Sequence, residues 1–176
     1  YEDGIDELIY IDTVASLYGR NSLLDLIRLT AKKIFIPLTV GGGVRTIDDI
    51  KEILRSGADK VAINSAAIKN PNFIRDAVKK FGSSTIVIGI EAQKNLNGTY
   101  KCHIENGRQS TDLDPIEWAL KVEELGAGEI FLTAIHKEGT GSGFDKFLLK
   151  ELTDKLRIPV IASGGAGSFS SIKEVV

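Results

Sequence analysis

The chain has 176 residues, 43% of them hydrophobic and 26% charged, and its 22 basic and 24 acidic residues give a formal net charge of -2. This balance lacks the basic excess of a nucleic-acid-binding protein, and the longest apolar runs fall far short of the roughly 20 residues of a transmembrane helix. The single cysteine, Cys102, excludes an intramolecular disulfide, and no cysteine–histidine cluster has zinc spacing. We therefore expect a cytoplasmic protein that uses no metal or cofactor. We also expect it to bind neither nucleic acid nor membrane.

Strand-length apolar runs alternate with helical stretches along the chain. The runs are nearly continuous in apolar residues, as expected of parallel strands covered on both faces. The predicted strands are Glu7–Ile11, Pro37–Val40, Lys60–Ile63, Thr85–Glu91, Glu129–Thr133 and Pro159–Ala162. Amphipathic patterns predict helices at Leu23–Lys33, Ile47–Ser56, Asn72–Lys80, Pro115–Leu125 and Lys146–Leu156. This alternation is typical of parallel βαβ units.

One stretch departs from the alternation. Asn97-Gly98 and Asn106-Gly107 are dipeptides that favour hairpin turns, and they flank Tyr100–Ile104. We therefore predict an extra strand excursion after the strand that ends at Glu91. The chain also contains no methionine, and Tyr1 reads as part of a helix end, so we interpret it as part of a longer protein.

An internal repeat predicts the architecture. Four short motifs recur 122 residues later: Gly4 as Gly126, Ile36-Pro37 as Ile158-Pro159, Gly42-Gly43 as Gly164-Gly165, and Ile50-Lys51-Glu52 as Ile172-Lys173-Glu174. Four strands begin within one interval, so two copies give eight strands in about 245 residues, the size of a (βα)8 barrel. We predict an α/β protein in which residues 1–176 form a single, partial TIM-barrel domain of two repeated halves, covering about strands 2–7. The alternative is an open doubly wound sheet, in which a half-length duplication is unusual.

Two glycine-rich turns follow predicted strands at matched positions of the repeat. They are Val40-Gly41-Gly42-Gly43 and Ala162-Ser163-Gly164-Gly165-Ala166-Gly167. Without a Cβ the backbone N–H groups can approach an anion closely, and such turns before a helix cradle phosphate. We predict two phosphate sites on opposite sides of the barrel mouth, spanned by a substrate with a phosphate at each end. Asn64 and Ser65 can add donors to the first site, and the loop 139–143 can fold over the second; the alternative is that the glycines serve only tight turns.

Four stretches of the chain resemble the cyclase subunit of imidazole glycerol phosphate synthase. They are Ile36–Arg45, Gly57–Asn64, Glu124–Ile130 and Ile158–Gly167, and the similarity extends over all 176 residues. The resemblance implies a heterodimer in which a glutaminase subunit supplies ammonia. The ammonia attacks a ribulose-linked aminoimidazole carboxamide nucleotide that carries two phosphates, giving imidazole glycerol phosphate, an intermediate of histidine biosynthesis, and the aminoimidazole carboxamide ribotide.

The resemblance also implies roles for individual residues. Gly43, Asn64 and Ser65 fall at the family's first phosphate site, and Thr133, Gly139 and Gly165 fall at its second. Glu91 falls at the position of one of two catalytic aspartates, where a carboxylate gives and takes protons at the attacked carbonyl. The other aspartate belongs to a strand that precedes this chain's first, so we expect the chain by itself to be inactive.

A ring of charges is implied at the opposite ends of the strands. Glu7, Lys60 and Glu129 begin three predicted strands and match the family's gate for ammonia. Charges that point into an apolar barrel are costly unless they pair with one another, and alternating signs allow such pairing. Neighbouring Asp59 matches a position that faces the glutaminase. The alternative is that these are ordinary solvent-facing charges.

Two departures from the family pattern leave other functions open. Glu91 stands where the family usually has aspartate, and His136-Lys137-Glu138-Gly139-Thr140 stands where the family usually reads Asp-Arg-Asp-Gly-Thr. Similar barrels in surface-glycan pathways use ammonia to form an amidine on a sugar nucleotide, and this is the first alternative function. The second is an inactive barrel that serves only as a glutaminase-binding scaffold.

Overall fold

The computed structural model describes residues 4–13 and 21–175 of the chain; of Asn21 and Ser22 it describes only the backbone. The chain forms two compact units, Tyr1–Val87 and Ile88–Val176. Within the described residues, no helix has the length and apolar content that crossing a membrane requires.

Unit 1 consists of parallel strands joined by helices. Its strands are β1 (Leu8–Ile11), β2 (Leu38–Gly41) and β3 (Lys60–Ile63). Its helices are α1 (Asn21–Ala31), α2 (Ile47–Arg55), α3 (Ser65–Lys69) and α4 (Asn72–Phe81), with a 3-10 turn at Ser83–Thr85. β2 pairs in parallel with both β1 and β3, and all four of its residues are buried. The buried faces of α2 and α4 contribute Ile50, Ile53, Phe73 and Ile74 to the core.

Unit 2 adds a hairpin to the same alternation. Its strands are β4 (Ile86–Lys94), which begins two residues before the unit boundary, β5 (Tyr100–Ile104), β6 (Gln109–Ser110), β7 (Glu129–Ala134) and β8 (Val160–Ser163). Its helices are α5 (Pro115–Glu124), α6 (Lys146–Thr153) and α7 (Phe169–Lys173), with a 3-10 turn at Ile135–Lys137. β5 pairs antiparallel with β4 and β6, β7 pairs in parallel with β8, and β7 is also paired with β4.

The internal repeat is present in the backbone of each unit. β1 pairs with β2 through Leu8↔Leu38, and β7 pairs with β8 through Ile130↔Val160. Every partner in the second pair lies 122 positions after its counterpart in the first. Beside each pair, an N–H donates a 3.0 Å hydrogen bond to the carbonyl of a proline: Leu8 to Pro37 and Ile130 to Pro159. The two strand pairs therefore have the same register, as expected of a duplicated half-barrel.

The helices that follow these strand pairs also begin alike. Before α2, the Thr46 hydroxyl accepts from the Asp49 N–H at 3.1 Å, and the Asp49 carboxylate accepts from the Thr46 N–H at 2.8 Å. Before α7, Ser168 and Ser171 exchange the same two bonds at 3.2 and 3.3 Å. Each is a capping box, which satisfies N–H groups that a helix start leaves unpaired. The cap fixes the direction in which the chain leaves each glycine turn.

The predicted elements are confirmed, with changes at their ends. All six predicted strands and all five predicted helices are present, and the predicted excursion is β5. β4 runs three residues beyond the predicted Glu91, because it continues into the hairpin with β5. The short elements α3, β6 and α7 were not predicted, since each has at most five residues and too little periodicity to stand out. The alternation and the repeated register support the predicted (βα)8-barrel class; that residues 1–176 form a single domain stays a prediction.

Candidate active site

The first glycine turn is sterically required where it leaves β2. A Cβ on Gly41 would lie 2.8 Å from the Cβ of Ala62, and a Cβ on Gly42, whose φ is 104°, would overlap the carbonyl oxygen of Asp12. These two glycines therefore allow the strand ends to approach one another. Gly43 is different, because it is exposed and has a φ of 62°. Backbone with a positive φ of this kind favours glycine.

The three residues predicted for the first phosphate site follow neighbouring strand ends. Gly41 of β2 pairs with Ala62 of β3, and Gly43 and Asn64 each lie two positions beyond that pair. Asn64 is half-buried, and its carbonyl accepts a 2.9 Å hydrogen bond from the Ala67 N–H, in the first turn of α3. Ser65 is the first residue of α3. Gly43, Asn64 and Ser65 thus lie at one edge of the sheet in unit 1.

The second glycine turn repeats this arrangement in unit 2. Thr133 of β7 pairs with Ser163 of β8, and Gly165 lies two positions beyond that pair. A Cβ on Gly164 would lie 2.6 Å from the carbonyl oxygen of Ala134, as one on Gly42 would overlap that of Asp12. Gly164 and Ala134 are the repeat partners of Gly42 and Asp12. The close backbone approach beneath each turn is therefore a duplicated feature.

The loop 139–143 lies directly on the second turn. The Gly143 N–H donates 2.8 Å to the Gly165 carbonyl, and a Cβ on Gly165 would overlap the carbonyl oxygen of Gly143. Likewise, a Cβ on Gly167 would overlap the carbonyl oxygen of Gly141. Gly139, Gly141 and Gly143 all have positive φ, between 62° and 88°. Two glycine segments thus meet backbone to backbone, in a way that side chains would prevent.

Glu91 lies on β4, the strand on the other side of β7 from β8. It is a half-buried residue of β4, which is hydrogen-bonded to the β7 strand that carries Thr133. Its Oε2 atom accepts a 2.6 Å hydrogen bond from the N–H of Gly107. The predicted acid–base group and the predicted second phosphate site therefore share neighbouring strands of unit 2.

A buried polar network, which sequence reasoning missed, lies next to the loop. Asp145 accepts from the Tyr100 hydroxyl at 2.8 Å and lies 3.0 Å from Nε2 of His136. Burial disfavours the Asp145 carboxylate, but hydrogen bonds from the Leu148 N–H and Tyr100, together with His136, hold the pKa of Asp145 below its usual value. Burial, with the hydrogen bond and charge of Asp145, raises the pKa of Tyr100, so its hydroxyl remains a proton donor. Tyr100 is 45 positions from Asp145 in sequence, and no local motif joins the three residues.

Two of the three residues predicted for the ammonia gate form an ion pair in unit 1. Lys60 Nζ lies 3.1 Å from Oε2 and 3.4 Å from Oε1 of Glu7. The Lys60 side chain is 14% exposed and that of Glu7 is 42% exposed. Asp59, beside them, accepts from the Leu38 N–H at 2.8 Å, a structural role at the start of β2. Glu129 is the first residue of β7 in unit 2 and is half-buried.

The described residues offer no group of three or more histidine, cysteine, aspartate or glutamate side chains that could hold a metal ion. The residues predicted for the two turns offer backbone N–H groups and hydroxyl groups, and β4 adds the Glu91 carboxylate. Such a set can bind phosphate and transfer protons.

Comparison with known proteins gives a consistent family. The model of the family described as "Histidine biosynthesis protein" matches residues 1–176. The imidazole glycerol phosphate synthase subunit HisF of Legionella pneumophila is 54% identical over 169 residues, which are 96% of this chain and 80% of that protein. The subunit of the same name from Alkaliphilus metalliredigens is 47% identical over 173 residues, 98% of this chain and 69% of that protein.

Proposed function

Because the chain belongs to the histidine biosynthesis protein family, we propose that it is the cyclase subunit of imidazole glycerol phosphate synthase, an enzyme of histidine biosynthesis. The observation that carries this function is the duplicated glycine turn, which lies at matched strand ends of the two units, a kind of turn whose backbone N–H groups can bind an anion. Two equivalent anion sites suit a substrate with a phosphate at each end. The relatives named above are subunits of this synthase, which supports the same reaction here.

Each phosphate is proposed to bind at one edge of the barrel mouth. Gly43, Asn64 and Ser65 are the proposed first site, and Thr133, Gly139 and Gly165 the second. A turn that precedes a helix directs N–H groups and the positive end of the helix dipole toward an anion. Binding both ends of a long substrate fixes its centre, and this positioning alone supplies a large part of the acceleration in many enzymes.

Glu91 is proposed to exchange protons with the centre of the substrate. When the ammonia nitrogen bonds to the carbonyl carbon, the carbonyl oxygen must gain a proton and the nitrogen must lose one. A carboxylate on the strand end can perform both transfers in turn, a role worth about 10²–10⁴-fold in rate. Its place on β4, paired with the strand of Thr133, supports this role.

The partner subunit is proposed to be a glutaminase that supplies the ammonia. The names of the relatives describe a subunit, which implies an assembly with another chain. The pairing of Lys60 with Glu7 at the starts of β1 and β3 supports a gate of alternating charge, to which Glu129 of unit 2 is proposed to belong. A cytoplasmic location remains part of the proposal.

The test is turnover by the protein expressed from its complete reading frame. With ammonium salt and the bisphosphate nucleotide, we expect loss of the nucleotide's absorbance and stoichiometric formation of imidazole glycerol phosphate. Addition of the glutaminase should allow glutamine to replace the ammonium salt. Amidation of a sugar nucleotide instead would identify the surface-glycan alternative, and glutaminase binding without turnover would identify a scaffold.

A further inference from the structure

We propose that His136 is a positioning residue: its hydrogen bond to Asp145 latches the two ends of the loop 137–143 and thereby sets the affinity of the second turn for the substrate's phosphate. This inference rests on the proposed function for its ligand, but its geometry is independent of the reaction. The segment between these two residues includes the glycines that lie on the Gly165 turn.

The latch joins one residue on each side of the loop. His136 belongs to the 3-10 turn that ends β7, and Asp145 is the residue before α6. The two are nine positions apart, and their Nε2 and Oδ2 atoms are 3.0 Å from each other. A single side-chain contact therefore closes the base of a loop that leaves one rigid element and enters another.

Asp145 is held as a fixed acceptor. Asp145 is only 8% exposed. Its Oδ1 accepts a hydrogen bond from the Leu148 N–H at 3.0 Å, and its Oδ2 accepts one from the Tyr100 hydroxyl at 2.8 Å. Tyr100 is itself buried in β5 and stacks on Phe147 with ring centroids 6.4 Å apart. The carboxylate therefore has little freedom to move, and its Oδ2 can accept a second hydrogen bond.

The contacts of the His136 ring favour the tautomer that supplies the donor to Asp145. The N–H of Lys94, at the end of β4, points to Nδ1 of the ring at 3.4 Å. An Nδ1 that accepts a hydrogen bond leaves the proton on Nε2, which faces Asp145. The ring thus connects the end of the strand that carries Glu91 with the start of α6. The same contact orients the loop relative to the proposed acid–base residue.

The loop requires such a constraint because it is rich in glycine. Gly139, Gly141 and Gly143 adopt positive φ, and glycine loses more backbone entropy on ordering than any other residue. The Gly143 N–H is already used by Gly165, so a small shift of the loop would carry the neighbouring N–H groups away from the turn. An anion site that is ordered before binding has a higher affinity, because the ordering cost is not paid on binding.

Two substitutions of His136 separate the latch from the rest of the ring. In His136→Gln, the amide nitrogen reaches about as far as Nε2 and can still donate to Asp145. In His136→Asn, the amide reaches only about as far as Nδ1, so the donor to Asp145 is lost. Since a hydrogen bond to a charged group contributes about 1.5–3 kcal/mol, we expect His136→Asn to raise the KM for the bisphosphate substrate at least about tenfold. Its kcat should change less than about twofold, and His136→Gln should restore KM to within about threefold of the parent.

A readout that needs no turnover makes the test independent of the proposed function. Amide hydrogen exchange of residues 137–143 should be faster in His136→Asn than in the parent and in His136→Gln, and the inhibition or dissociation constant of inorganic phosphate should rise in parallel. Equal exchange and equal phosphate affinity in all three proteins would overturn the latch. So would a fall in thermal stability of both variants with unchanged KM, since that describes a structural role alone. A parent protein that binds phosphate with a protected loop but forms no imidazole glycerol phosphate would contradict only the proposed reaction.

Discussion

The N–H of Gly107 donates a 2.6 Å hydrogen bond to the Oε2 atom of Glu91, so the tip of the β5–β6 hairpin holds the carboxylate proposed to transfer protons. Glu91 is paired with His103 across β4 and β5, and Nδ1 of His103 lies 2.9 Å from the Gly107 carbonyl. The tip is unusual in having three consecutive residues with positive φ, namely Glu105 at 55°, Asn106 at 57° and Gly107 at 77°. Such backbone is costly for residues other than glycine and turns the Gly107 N–H toward the strand.

This contact predicts that Glu91 will not tolerate a change in length. Glu91→Asp removes one methylene and withdraws the carboxylate from the Gly107 N–H, and a misplacement of about 1 Å can cost roughly a hundredfold in rate. We expect kcat to fall about a hundredfold in Glu91→Asp, and by about 10²–10⁴ in Glu91→Gln, which cannot exchange the proton. The measurement is kcat for the bisphosphate substrate at saturating ammonium.

The matched control removes a carboxylate away from the site. Glu117 is exposed in the first turn of α5, so Glu117→Gln should leave kcat within about twofold of the parent. An active Glu91→Ala protein would refute the acid–base role. Full activity in Glu91→Asp would instead mean that the bond to Gly107 does not position the catalytic group.

The backbone contact between the second turn and its loop predicts a specific effect of Gly165→Ala. The new Cβ would overlap the Gly143 carbonyl oxygen, so the loop must move off the turn. We expect the KM for the bisphosphate substrate to rise at least about tenfold, together with a loss of stability of about 1–3 kcal/mol from strain and overlap. Steady-state kinetics and urea denaturation of the same preparation measure the two effects.

Gly82→Ala provides the comparison for backbone strain alone. Gly82 has a φ of 91°, close to the 95° of Gly165, but a Cβ at Gly82 would have no neighbour within 4 Å. Both variants carry the cost of a side chain at positive φ, and only Gly165→Ala displaces the loop. Similar KM values for the two variants would show that the loop contact does not affect substrate binding.

The sequence was sufficient to predict the features that recur. The motif Ile36-Pro37 and its copy Ile158-Pro159 predicted a duplicated strand, and the structure has the same N–H bond to each proline carbonyl. Repetition is informative because the same structure, a strand that ends in a close backbone approach, requires the same residues at both copies. Gly42 and Gly164 are the clearest case. Gly42 lies against the carbonyl of Asp12, and Gly164 lies against that of Ala134, the residue 122 positions after Asp12.

The side-chain network around Asp145 could not be predicted in the same way. Tyr100 reaches Asp145 across 45 positions of sequence, through a hairpin that departs from the alternation of strands and helices. The Gly107 bond to Glu91 likewise depends on the fold of the hairpin tip, where Glu105 and Asn106 adopt positive φ without being glycine. These contacts are nonlocal, so neither periodicity nor a short motif indicates them.

Cys102 is predicted to be unreactive in the folded protein. It is fully buried in β5, and this burial, together with the charge of Asp114, raises the pKa of the Cys102 thiol to about 12. At pH 8 only about one molecule in ten thousand then carries the reactive thiolate. A thiol reagent such as iodoacetamide should modify Cys102 only at the rate of unfolding, and in full once urea is added. Rapid modification of the native protein would contradict this burial.

The lowered pKa of Asp145 predicts how the protein loses stability in acid. Burial opposes the charged form, but the bonds from Leu148 and Tyr100 and the neighbouring His136 keep the pKa of Asp145 below its value in the unfolded chain, about 3.9. The folded state therefore binds the proton more weakly, and the stabilisation is complete above that unfolded value and is lost as pH falls through the folded one. We expect the free energy of unfolding of the parent to exceed that of Asp145→Asn at pH 6, and this excess to shrink progressively below about pH 4.

Urea denaturation of both proteins between pH 3 and pH 6 measures this difference directly. Asparagine retains a side-chain oxygen that can accept from the Leu148 N–H, so the start of α6 is kept while the charge at Oδ2 is removed. Asp76→Asn, an exposed change on α4, provides the baseline for removing a surface carboxylate. A difference between the parent and Asp145→Asn that stays constant across the range would mean that the Asp145 carboxylate has the same proton affinity folded and unfolded. The bonds from Tyr100 and His136 would then not act on its charge.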